Sequence, residues 1–170
     1  MDKRWIYILI IIIVGTSCLY LIAESSTTIG KATVKVNSYL VTVPDPFNIH
    51  STGSHYAHLI NRDTQERIFI EDLGKGDFIN KNMSGRMADV EASGDNEDIE
   101  NITVNIGNTS LPTIYYKDSN GTFNQISYII KYNHTFYIKS SHFHDNSTIK
   151  SNVKVIIDSL TPNYKQKQED

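Results

Sequence analysis

Histidine supplies the best candidates for chemistry in this chain. His50, His55 and His58 lie close together, and His142-Phe-His144 sets two imidazoles on one side of an extended segment. Zinc takes three or four nitrogen, sulfur or oxygen ligands in a tetrahedral array, so His142 and His144 with the carboxylate of Asp145 form the candidate metal set. His55 and His58 are an odd number of residues apart, which sends them to opposite faces of a strand. The competing reading of all these imidazoles is ordinary surface histidine, solvated or hydrogen-bonded.

Other patterns carry less. Asp95, Glu97, Asp98 and Glu100 crowd one acidic stretch. Calcium wants six to eight hard oxygens, and the ligand-glycine spacing of an EF-hand loop is absent here. Gly74-Lys-Gly-Asp77 precedes an expected helix. It lacks the spacing of a phosphate-binding loop, and Asp77 at the helix start would repel an anion. No serine sits in a nucleophile-elbow pattern. Tyr115, Tyr116, Tyr128 and Tyr132 could form a recognition face or could pack in the core. No catalytic residue and no cofactor-binding residue is assigned, and no cofactor is expected.

Composition narrows the classes further. The chain has 170 residues and a formal charge of −3, without the basic footprint of a nucleic-acid binder. Its single cysteine, Cys18, lies near the N-terminus. The rest of the chain therefore has no disulfide framework and no thiol nucleophile, and must be held by its core.

The elements that would position these side chains follow from periodicity. Lys31–Val36 and Tyr39–Val43 alternate around an Asn37-Ser38 turn, and Pro44 and Pro46 stop the second strand. His55–Ile60 and Arg67–Glu71 make two more strands. Leu73–Gly76 breaks the pattern, and Asp77 can cap a helix carrying Phe78, Ile79, Met83, Met87 and Val90 on one face. Ala92–Asp98 reads as an acidic loop. Strands resume at Ile102–Ile106, Thr113–Tyr116, Gln125–Ile130 and Thr135–Ile138, with turns at Asn120-Gly121 and Asn133-His134. A final amphipathic helix runs over 147–160, with Ile149, Val153, Ile156, Ile157 and Leu160 on one side and Pro162 beyond it. Four strands, a helix, four strands and a helix imply an α+β fold, a mostly antiparallel sheet covered by two amphipathic helices.

Ahead of this domain, Trp5–Ala23 is 19 residues without a charge. As a helix it would span about 28 Å, close to the thickness of the hydrocarbon core. Lys3 and Arg4 precede it and Glu24 follows, which places the N-terminus in the cytoplasm and the bulk of the chain outside. Gly15-Thr-Ser-Cys18 resembles a lipoprotein cleavage site poorly, because apolar chain resumes after Cys18. The expected organisation is a transmembrane signal anchor over 1–23, a linker over 24–30, an extracytoplasmic domain over 31–162 and a polar tail over 163–170. The alternative is a secreted form released by signal cleavage.

Asn-X-Ser/Thr acceptors for N-glycosylation occur at Asn82, Asn101, Asn108, Asn120, Asn133 and Asn146. All six fall on the side assigned to the exterior.

The early strand entering "VTVPDPFNI" (Val41–Ile49), the middle helix, the antiparallel run and the closing "VKVIIDSL" (Val153–Leu160) together resemble PsbP-like domains. That family comprises α/β/α sandwiches related to the lumenal photosystem II subunit P. The resemblance implies a binding or assembly module more than a catalyst, and it carries no site residue over. The family often has Trp or Tyr after the proline, where this chain has Pro46-Phe47. The expected function is thus a membrane-anchored, glycosylated binding or assembly module. Its partners would be the membrane, through residues 5–23, and an envelope protein or glycan, with no nucleic acid. Two other readings stay open: a small metal-dependent hydrolase using the histidines, and a passive envelope component.

Overall fold

The computed structural model describes residues 32–163. The expected anchor, the linker, Lys31 and the tail beyond Asn163 lie outside the described residues. Among the described helices, none is long and apolar enough to cross a membrane.

The described residues form an α+β domain with antiparallel sheets and two helices. Its elements are β1 (Thr33–Val36), β2 (Tyr39–Thr42), β3 (Asn48–Thr52), β4 (Tyr56–Ile60) and β5 (Arg67–Lys75), then α1 (Ile79–Ala92). There follow β6 (Glu97–Ile106), β7 (Thr109–Lys117), β8 (Phe123–Lys131), β9 (His134–Phe143), α2 (Asn146–Ser159) and a short β10 (Thr161–Pro162). Seven strands make one sheet in the order β3-β4-β5-β9-β8-β7-β6, and β1-β2-β10 make a second. All of the pairings are antiparallel.

Strand alternation divides the large sheet's side chains between two cores. Ile68, Ile70, Leu111, Ile129, Phe136 and Ile138 point to one side. There they meet Val34, Val36 and Val41 of the small sheet and Ile149, Val153, Ile156 and Ile157 of α2. Each of these four α2 residues is at most 4% exposed, and burying such a side chain stabilises by about 1.5–3 kcal/mol. On the opposite side, Ile114, Tyr116, Ile126, Tyr128 and Tyr137 pack against Met83 and Val90 of α1. These are the only buried residues of α1, so that helix is held by less apolar area than α2.

Helix ends follow their local chemistry. Asp145 caps α2, accepting bonds from the Ser147 amide and from the Ser147 and Thr148 hydroxyls. At α1 the N-cap residue is Phe78, not Asp77. Asp77 still accepts a 3.0 Å bond from the Ile79 amide, and the Phe78 amide donates to Thr135 Oγ1.

Several boundaries differ from expectation. Among the described residues five strands precede α1, because Asn48–Thr52 pairs with β4 although every one of its side chains is exposed. Nor does β5 break at Leu73. It continues to Lys75 through an irregularity in its pairing with β9, where Gly74 adopts φ +104. The acidic stretch is loop only to Asn96, and Glu97–Asn101 already belongs to β6, an edge strand with acidic groups in solvent. Pro162 does not merely follow α2; it pairs with Tyr39 in the small sheet.

Candidate functional site: a polar groove beside α1

The α1 helix covers only part of its face of the large sheet. The remainder is a groove of about 570 Å³. Its floor comes from five strands: His58 of β4, Arg67 and Phe69 of β5, Tyr116 of β7, Asn124 of β8, and Lys139, Ser141 and His142 of β9. One wall is the turn after α1, with Ser93, Asp95 and Asn96.

Register explains the convergence. His58 pairs with Phe69, Phe69 with Lys139, and Lys139 with Ile126. Residues directly opposite on neighbouring strands share a face, so His58, Phe69 and Lys139 stand in one row across three strands. Arg67 and Ser141 form the next row.

A bulge shapes the groove's far end. Between β8 and β9 the register shifts, so that Phe123 opposes Phe143 while Gln125 opposes Ser140. The extra residue on β9 falls at Ser141-His142, and His142 takes a left-handed φ of +64. Asn124 secures the bulge: its Oδ1 accepts from the His142 amide and its Nδ2 donates to the Thr122 carbonyl. His142 Nδ1 lies 3.7 Å from Asp118 Oδ2.

Charges in the groove are unequally satisfied. Burial pushes the Asp118 carboxyl up, but bonds from the Thr122 hydroxyl and amide, the Asn124 amide group and the Asn120 amide outweigh it and hold it below the usual range. Lys139 and Arg67 make no ion pair and no side-chain hydrogen bond among the described residues. Burial, then the charge of Arg86, lowers the Lys139 pKa. Burial, then His50 and Arg67, lowers that of His58.

The residues singled out in the sequence separate as follows. His50 and His58 meet edge to face, with ring centroids 5.1 Å apart, while His55 is exposed ahead of β4. His142 and His144 border the same shallow depression, with Thr64, Gln65, Arg67 and Thr122. Asp145 is engaged as the α2 cap. Among the described residues, no three His, Cys, Asp or Glu side chains converge as a metal-ion set. Of the tyrosines, Tyr116 and Tyr128 are core residues, Tyr115 stacks on Phe123, and exposed Tyr132 stacks on Tyr39.

Asn101, Asn108, Asn120 and Asn133 are exposed. Asn82 lies within α1 and donates its Nδ2 to the Phe78 carbonyl. Asn146 starts α2 half-buried, its Oδ1 sealed from solvent without a partner among the described residues. Sequence reasoning missed Arg67, Lys139 and Asn124 as site residues. They are far apart in the chain, and only strand register brings them together.

No family model matches this chain, and no curated protein matches it. Among solved structures, it is similar to a crystal structure of a protein from Bacteroides thetaiotaomicron. The identity is 13% and the TM-score 0.46, over 78% of this chain and 47% of that one. The chain therefore spans about half the length of that neighbour.

Proposed function

We propose that this protein is a membrane-anchored, extracytoplasmic binding or assembly module, glycosylated on its outer domain and built as a PsbP-like α/β/α sandwich. The observation that carries the binding part is the groove. Side chains from five strands converge on a face that α1 leaves open, and a mostly preformed recess with a few placed polar groups is the usual form of a ligand site. Asp118, the groove's most engaged carboxylate, is tied up in accepting bonds from neighbouring donors. That suits a fixed wall better than a group that must trade protons. The membrane part is supported by the uncharged stretch over 5–23 and the basic residues before it.

The test joins topology to binding. Protease added to intact cells should digest the C-terminal portion, and a pull-down from detergent-solubilised membranes should recover a specific partner. Survival of that portion until lysis would overturn the topology. Stoichiometric zinc in the purified protein, lost on His142→Ala and His144→Ala, would replace the module reading with the hydrolase one.

A further inference from the structure

We propose that the groove beside α1 binds its ligand through an anionic oxygen group, a carboxylate, sulfate or phosphate. This inference rests on reading the groove as a ligand site and adds the chemistry of what enters it.

Two cations of the groove lack a counter-ion among the described residues. Lys139 stands mid-sheet, with Phe69 opposite it on β5 and Ile126 opposite it on β8. An ammonium in such surroundings costs free energy unless an opposite charge compensates it. Arg67, in the adjacent row, faces the same space. The protein supplies neither with an anion: among the described residues no carboxylate lies within ion-pair reach of Lys139 or Arg67. The two acids that border the groove are otherwise placed. Asp118 is saturated by Thr122, Asn120 and Asn124 and faces His142. Asp95 is exposed on the turn after α1.

The flanking groups fit the same chemistry. His58 shares the row with Lys139 and would donate a hydrogen bond to an anion. Ser141 sits beside Arg67 with a hydroxyl that no described residue engages. Phe69, half-buried between His58 and Lys139, adds an apolar surface for the ligand's carbon skeleton. Arg offers a planar fork that matches carboxylate, sulfate and phosphate alike, and Lys a point charge beside it. Recognition therefore centres on the oxyanion.

The full-length protein in detergent is titrated calorimetrically with trigalacturonate, sulfated lactose and inorganic phosphate. Neutral lactose and a cationic chitosan trimer serve as controls, and the three anionic arms distinguish carboxylate, sulfate and phosphate sources. At least one anionic probe is expected to bind, and Lys139→Met and Arg67→Gln should each weaken it by about tenfold or more, as loss of a charge-assisted hydrogen bond predicts. Lys139→Arg should retain binding within a few-fold. Lys139→Met should melt no lower than the parent, since it removes an uncompensated ammonium, so lost binding in it cannot be ascribed to unfolding. Binding of lactose or the chitosan trimer as tightly as any anion would overturn the proposal and leave the groove standing as a ligand site. Anion binding unmoved by both substitutions, or no binding of any anionic probe, would also overturn it. The module reading is judged separately, by the pull-down.

Discussion

Both carboxylate oxygens of Asp72 lie 3.0 Å from His134 Nδ1, and the Asp72 side chain is fully buried. The same carboxylate accepts a 2.7 Å bond from Asn37 Nδ2 and a 2.9 Å bond from the Gly74 amide. One buried acid thus ties the β1–β2 turn to the irregular end of β5 and the start of β9. Tyr39 closes the cluster, edge-on to the His134 ring at 5.2 Å.

Removing a member of a buried network strands its partners. Asp72→Ala should destabilise the protein by about 3 kcal/mol or more, because Asn37, His134 and Gly74 all lose their acceptor. His134→Ala should cost less, about 1–2 kcal/mol, since Asn37 and Gly74 still hold the carboxylate. Urea unfolding of both single variants and the double variant measures the coupling. Strict additivity would show that the contact carries no energy of its own.

Alkaline pH should unlock the α1 side of the sheet. Burial pushes the Tyr128 and Tyr137 phenols up to about 12, with Arg86 opposing in both. A phenol raised above its unfolded value of about 10 contributes stability that is intact below that pH and lost as pH rises through the folded value. Stability should therefore fall between about pH 10 and 12. Tyrosinate absorbance should rise together with unfolding. The Tyr128 hydroxyl is buried without a partner among the described residues, so Tyr128→Phe should be neutral or stabilising by up to about 1 kcal/mol. It should also flatten the alkaline slope. A Tyr128→Phe variant with a clear loss of stability at neutral pH would mean that the hydroxyl is engaged after all.

Glycan mapping should discriminate among the six acceptors. Asn108, Asn120 and Asn133 lie exposed in or beside hairpin turns, where a transferase can reach the side-chain nitrogen. Asn82 commits that nitrogen to the Phe78 carbonyl, and Asn146 is half-buried at the start of α2. Peptide mass spectrometry of protein from its native source should find occupancy at the turn sites and little at Asn82 or Asn146. The reverse pattern would contradict the accessibility argument.

Much of this architecture could be read from periodicity, and the exceptions share a cause. The α2 helix announced itself through Ile149, Val153, Ile156 and Ile157, because one face is wholly buried. Likewise, β1, β2 and β4 alternate between buried and open positions. By contrast, β3 has no buried face to leave a pattern; it is a strand only because β4 offers it a ladder. The first half of β6 is hidden in the same way by Glu97, Asp98 and Glu100. The groove escaped for a further reason. Lys139 and Arg67 are 72 positions apart in the chain, and they become neighbours through the β5–β9 register. No local motif records that pairing.

The small sheet carries a consequence for synthesis. Its middle strand, β2, is flanked on one side by β1 and on the other by Thr161–Pro162, and the Asn163 amide reaches back to the Ser38 carbonyl. Once it leaves the ribosome, the β1–β2 hairpin must therefore wait for almost the whole domain before its second edge is sealed. Until then, or after any nick that frees Thr161 and Pro162, Tyr39 and Leu40 present open backbone to whatever chain is nearby.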